Sequence, residues 1–312
     1  RVLSTAALVA MVSSIATAAF AAEYNVAKGS VEIVAKDGSQ SITQRDDTGA
    51  FVKDEKGDID HRPDSDIVLV TKDETTGKTE TTSNTVTIDA KEGNTANVTL
   101  QDVHIESSST WSSDPAPIEI KGNGSTNLEL NGNNTVFSGN EDHAGIEKAD
   151  VNGTGTLTIK DDVNDDGTAK TGTDEDTTGK LVAGGYHEAA AIGGGAGDLG
   201  DTSNITITGG DITAIGGVDG GSGIGGGAIG IGNVIIRGNA QIGNATGGEE
   251  GAGIGGGALG TGDVTIEGNV TIENAQGGAG AAGIGGGAET EPDTEDTRNK
   301  VSIKSTEAGS PD

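Results

Sequence analysis

Asp162, Asn164 and Asp166 alternate along the chain and lead into Gly167. Calcium, a hard cation, prefers clustered oxygen donors, and a glycine lets a loop fold tightly around the ion. This spacing predicts a calcium site whose ligands are Asp162, Asn164, Asp166 and, from the acidic run that follows, Asp174. Glu175 and Asp176 are alternatives for the last place. The loop is not an EF-hand, because its twelfth position is Thr173 rather than Glu and no helical pattern flanks it. A plainer reading of the same residues is a solvated acidic insertion between two strands.

Two aromatic residues stand in polar, turn-rich surroundings. Trp111 lies in the loop from Ser107 to Asp114, and Tyr186 follows Gly184-Gly185. An exposed aromatic ring offers an apolar face on which a sugar ring can stack, so Trp111 and Tyr186 are the candidate glycan contacts. The alternative is that each ring caps a local cluster beside a narrow core. The four histidines, His61, His104, His143 and His187, show no ligand spacing. The Gly-Gly-Gly runs are followed by no Gly-Lys-Ser/Thr and recur at a fixed interval, which makes them turns rather than phosphate loops.

The elements that position these residues follow from an unusual composition. Of 312 residues 55 are Gly, three are Phe, two Tyr, one Trp and none Cys. A globular enzyme of this length would close its core with large aromatic and Leu side chains, which this chain does not have. Lys and Arg number 19 against 49 Asp and Glu, for a net charge of −30. Such a chain has no positive field with which to neutralise nucleic-acid phosphates. Disulfides and thiolate metal sites are excluded. High charge with few apolar residues also describes disordered chains, but here Val, Ile and Leu alternate in short runs such as Ile205-Thr206-Ile207 and Val264-Thr265-Ile266. These are strand signals.

The runs repeat. Ile-Gly-Gly-Gly-Ala begins at Ile192, Ile224, Ile254 and Ile284, at intervals of 32, 30 and 30 residues. Between the second and third copies the whole unit matches, Val234, Ile236, Ile242 and Ala245 recurring as Val264, Ile266, Ile272 and Ala275. Residues 191–290 hold 36 of the 55 glycines. A degenerate form runs backwards through Ile146, Leu157-Thr-Ile159 and Leu181-Val-Ala183, then Ile118, Leu128 and Val136, then Val86, Val98 and Val103. Three short strands per unit of about 30 residues predict an all-β, right-handed parallel β-helix of about seven three-strand coils. Its core is a column of stacked aliphatic residues, which explains why aromatics are scarce. The repeats span 85–305, most regularly 191–290, with 22–84 as an amino-terminal cap or first strands and 306–312 as a tail that a longer chain would continue.

Residues 1–21 read as a secretory signal peptide: Arg1, an Ala-rich apolar stretch, then Ala19-Phe20-Ala21 as a small-x-small cleavage site. No later stretch is long and apolar enough to span a membrane. The expected location is therefore extracellular or at the cell surface, with no membrane insertion once the signal is removed.

The segments Asn97-Val-Thr-Leu-Gln-Asp-Val-His-Ile105, Asn127-Leu-Glu-Leu-Asn-Gly-Asn-Asn-Thr135 and Gly155-Thr-Leu-Thr-Ile159, followed by the Ala-Gly-Ile-Gly-Gly-Gly units, resemble a group of secreted surface proteins of anaerobic, largely clostridial, bacteria. The likeness covers roughly residues 85–305. Proteins of that group are described as carbohydrate-binding-domain or adhesin-like β-helices, similar in fold to pectate lyases. The resemblance implies a non-catalytic protein that binds extracellular polysaccharide or cell-surface glycans, or serves as an adhesin. The alternative it leaves open is a polysaccharide lyase or hydrolase acting on acidic plant-type glycans. In such lyases an Arg beside calcium-bound carboxylates can abstract a proton, and Arg237 is the one Arg between positions 63 and 297. The repeat register offers a simpler role for it, because Thr208, Arg237, Glu267 and Lys304 fall in one outward ladder. Ice binding needs a flat face of ranked Thr, and the mixed residues of this ladder do not supply one.

Overall fold

The computed structural model describes residues 22–108, 114–148, 154–162, 178–196, 202–288 and 300–304. The chain winds as a right-handed parallel β-helix with three long faces. We call them sheets I, II and III in the order in which each coil visits them. The first coil contributes Val86–Ala90, Thr95–Gln101 and His104–Glu106 to the three sheets, and the fifth contributes Ile224–Gly225, Ile231–Ile236 and Gln241–Thr246. Among the described residues six coils carry all three faces, against the seven expected. A seventh adds only Ile284–Gly285 to sheet I and Lys300–Lys304 to sheet II.

Alternation sends every second side chain inward, and the parallel register stacks it on its counterpart in the next coil. On sheet I the inward row is Val31, Val86, Ile118, Ile146, Ile192, Ile224, Ile254 and Ile284, each the register partner of the next. On sheet II it is Ile67, Val98, Leu128, Ile159, Ile207, Ile236, Ile266 and Ile303. Sheet III adds a row that shrinks from Ile105 and Val136 to Ala183, Ala214, Ala245 and Ala275. Nearly all of these side chains are buried, and each Val, Leu or Ile contributes on the order of 1.5–3 kcal/mol, each Ala less. On the last described strand, Lys300–Lys304, Val301 and Ile303 are 44% and 72% exposed.

Some inward places are polar: Thr126 is buried in register with Ala96 and Leu157, and Lys148 in register with Ile120. Asn134 stands in the row that continues as Leu181, Ile212 and Ile242. Its Oδ1 accepts from the Val103 N–H at 2.9 Å, and its Nδ2 donates to the carbonyls of Asn131 and Lys180. With all these groups bonded, a buried amide is tolerated.

The outward partner of the Ile ladder on sheet I is a ladder of glycines. Gly193, Gly225, Gly255 and Gly285 have φ of +136, +134, +134 and +136°. A Cβ on Gly225 would fall on the carbonyl oxygen of Gly255 in the next coil. This backbone is open to glycine alone, which is why Ile-Gly recurs in every regular coil.

Residues 22–84 prolong the rod and then end it. Glu23–Asn25 and Ile67–Val70 extend sheet II, and Ser30–Lys36 extends sheet I in parallel with Val86–Ala90. Ser39–Arg45 then pairs antiparallel with Ser30–Lys36, turning the sheet's last edge into a hairpin. Gln44, 1% exposed, donates through Nε2 to the carbonyls of Asn25 and Gly29 and pins the hairpin to the first strand.

The expected outward ladder on sheet II is present. Arg237 is exposed and follows Ile236, the partner of Ile266, and Glu267 is in register with Lys304, their charged atoms 3.9 Å apart. The register makes a direct prediction. Ile254→Asp buries a carboxylate among aliphatic side chains and is expected to cost several kcal/mol. Glu267→Gln, outward on the same coil, is expected to cost under about 1 kcal/mol. Because coils couple only to their neighbours, amide hydrogen exchange should show protection lost on both sides of coil six in Ile254→Asp and retained in residues 30–45. Equal loss in both variants would mean that the register is wrong.

Candidate functional site

Among the described residues, large apolar side chains of the helical region other than Val301 and Ile303 are exposed at two places. Ile229 and Leu259 sit on successive turns between sheets I and II, with left-handed φ of +67° and +58°. The second place gathers Tyr186, Ile215 and Val218, which are 42%, 43% and 69% exposed, where sheet III turns into the next coil's sheet I.

This second corner is built by the coil-to-coil hydrogen bonds of its backbone. The Tyr186 N–H donates to the His143 carbonyl at 3.2 Å, the Asp219 N–H to the His187 carbonyl at 3.0 Å, and the Glu249 N–H to the Val218 carbonyl at 2.8 Å. His143, Tyr186-His187, Val218-Asp219 and Glu249 therefore stand one above another along the rod. His187 closes its turn in the left-handed region, φ +48°, and its ring stacks on Tyr186 with centroids 4.6 Å apart and planes at 20°.

The strand edge beside this stack is apolar as well. Phe137, Gly184, Ile215 and Thr246 form one outward row of sheet III. Gly184 has no side chain, and the Phe137 ring occupies the place where its Cβ would be. Phe137, Ile215, Tyr186, His187 and Val218 together make an apolar ledge along one edge of the rod.

Carboxylates border the ledge. Asp219 Oδ2 lies 3.8 Å from His187 Nδ1. Glu147 Oε2 lies 2.8 Å from His143 Nδ1 and accepts the Ala144 N–H at 3.0 Å, which fastens the turn beneath Tyr186. Farther toward the amino end the same corner opens into a groove of about 420 Å³ whose lining includes Ser30, Ser83, Thr85, Ser107, Ser108 and Asp114.

Of the residues singled out from the sequence, Tyr186 is on the ledge. Trp111 lies outside the described residues, although Ser108 and Asp114, on either side of that segment, line the groove. Asn164, Asp166 and Asp174 also lie outside them. Asp162 is described. Its carboxylate is 3.2 Å from Lys160 Nζ, and its N–H donates to Glu129 Oε1 at 2.8 Å. Among the described residues no three His, Cys, Asp or Glu side chains converge as metal ligands. Sequence reasoning overlooked Phe137, Ile215, Val218 and the His187–Asp219 pair. The one available signal was that Phe137 is an aromatic residue at an outward strand position.

Comparison with protein-family models, with curated proteins and with solved structures finds no match to this chain. The fold itself defines its class, a parallel β-solenoid.

The Lys160 ammonium bridges the Glu129 and Asp162 carboxylates at 3.1 and 3.2 Å. Burial works to lower its pKa, but hydrogen bonding and charge from Glu129 and then Asp162 outweigh this, so the pKa is raised. A raised lysine contributes stability below its unfolded pKa of about 10.4 and loses it as pH rises through the folded value. Lys160→Met removes the ammonium from the buried Glu129 carboxylate and is expected to cost about 3 kcal/mol at neutral pH. In paired denaturant titrations the difference from the parent should hold across neutral pH and shrink above about pH 10. A difference that does not change at high pH would contradict the bridge.

Proposed function

We propose that this chain is an exported or surface-displayed β-helix that binds extracellular polysaccharide, as a binding protein or adhesin rather than as a catalyst, through the ledge around Tyr186. The observation that carries this reading is the exposed Tyr186–His187 stack on a chain with almost no other aromatic residues. The core has no use for these rings, and an exposed aromatic surface is favourable only when something covers it. Sugar rings suit the place, because their C–H faces stack on aromatic rings while their hydroxyls bond to nearby carboxylates and backbone carbonyls.

The position of the ledge also supports a long ligand. It shares its corner with the hydroxyl-lined groove, so a polymer could follow the rod across several coils. Export is supported by residues 1–21, whose pattern is that of a signal peptide. Calcium at Asp162, Asn164, Asp166 and Asp174 belongs to the same proposal and rests on their alternating oxygen donors. The other reading, cleavage of acidic glycans, rests on resemblance of fold alone.

A glycan array probed with the whole chain, with and without calcium, tests the proposal. Binding to one or more extracellular polysaccharides or cell-surface glycans is expected. Tyr186→Ala is expected to weaken it about tenfold, the scale of one lost stacking contact together with its buried area. Retention that Tyr186→Ala leaves unchanged on every bound glycan would remove the ledge from the site.

A further inference from the structure

We infer that the ledge selects sugars carrying a protonated amine, such as polymers of glucosamine, over neutral sugars and against uronates. The inference rests on the proposed glycan-binding role and names the ligand's charge. Its basis is the charge of the groups that border the apolar surface.

Between Lys180 and Arg237 the sequence has no Lys or Arg. That stretch supplies most of the ledge: Tyr186, His187, Ile215 and Val218. Lys180 is at the far end of its strand, where it lies 3.9 Å from Asp211. Among the described residues, the exposed charged groups beside Tyr186, His187 and Val218 are carboxylates. Glu188 follows the aromatic stack, Asp219 follows Val218 with its side chain 56% exposed, and Glu249 donates its N–H to the Val218 carbonyl one coil on. Asp219 is thus beside the most exposed apolar side chain of the patch and within 3.8 Å of the stacked His187 ring.

These groups act differently on the three sugar classes. A uronate stacked on Tyr186 would bring its carboxylate against Asp219 and Glu188, and the stretch 181–236 that supplies most of the ledge holds no Lys or Arg to offset the repulsion. A neutral sugar gains the stacking and the uncharged hydrogen bonds of its hydroxyls. A protonated 2-amino group gains stacking and a charge-assisted hydrogen bond to a carboxylate that is already in place. Stacking therefore supplies the affinity, and the carboxylates decide which sugar is bound.

Three oligosaccharides of equal length separate these cases: N-acetylglucosamine, its deacetylated glucosamine counterpart, and galacturonate. The first two share their rings and differ in charge. Titration calorimetry on the full chain, below the pKa of the amine, should rank glucosamine first and galacturonate last. Asp219→Asn is expected to weaken glucosamine binding by about three- to fivefold, the range of one solvent-facing ion pair, and N-acetylglucosamine binding by less, because the amide oxygen still accepts from hydroxyls. Because the chain's net charge of −30 attracts any polycation, Asp263→Asn on sheet II serves as the control.

Equal losses from Asp219→Asn and Asp263→Asn would assign the preference to overall charge and overturn the inference. Equal affinity for the acetylated and deacetylated oligomers, lost in Tyr186→Ala, would also overturn it while leaving the glycan-binding proposal intact. Binding that Tyr186→Ala does not affect, or the absence of binding to all three sugars, would overturn both.

Discussion

Inside the helical region each strand has its backbone bonded to the equivalent strand of the neighbouring coils, so every coil must repeat the path of its neighbours at the strand spacing. The rest of the structure follows from that constraint. An inward side chain meets its own counterpart above and below, which favours rows of one shape: Ile on sheet I, Ile and Val on sheet II, and Ala along most of sheet III. It also governs the turns. Gly225 and Gly255 must pass so close that a Cβ on one would strike the carbonyl of the other. A single substitution in such a row disturbs two interfaces, because each residue belongs to the stack above and the stack below.

A column this narrow has little room for aromatic rings, and their locations reflect that. Tyr24 is buried in the amino-terminal region, and its hydroxyl donates to Asp64 at 2.7 Å. Phe51 lies under the Arg45 guanidinium, 3.9 Å from the ring centre. Phe137 and Tyr186 stand on the outside of the helix, at the corner where sheet III turns into the next coil. The corners are also where the repeat relaxes. In the regular coils the rows facing the core stay aliphatic, whereas the loop from sheet III to sheet I changes from His143 to Tyr186-His187 to Val218-Asp219 to Glu249. A solenoid can vary there without disturbing its core, and recognition surfaces accordingly arise at such corners.

The fold was legible because its signal is repeated. Ile192, Ile224, Ile254 and Ile284 announce their register by spacing alone, and the structure pairs them in that order. The degenerate coils were legible from the same alternation, which puts Leu128 on Ile159 and Val136 on Ala183. The amino-terminal region carries no repeat, and its strands could be seen but not their partners. Ser30–Lys36 pairs in parallel on one edge and antiparallel on the other, an arrangement that local pattern does not encode. Asn134 in a core row was equally hidden, since its acceptability depends on carbonyls at Asn131 and Lys180.

The sequence by itself determined the period, the inward residues, the need for glycine at the turns and the strongly acidic surface, because each is a property of residue type at a fixed interval. Tertiary structure alone decided what stands beside what around the corner. Phe137 and Gly184 are 47 positions apart, yet the ring fills the space the glycine leaves. His187 and Asp219 become neighbours only because one coil separates them. Contacts between coils depend on the length of each intervening turn, and those turns vary outside the regular repeats. The apolar ledge therefore exists only once the coils are stacked.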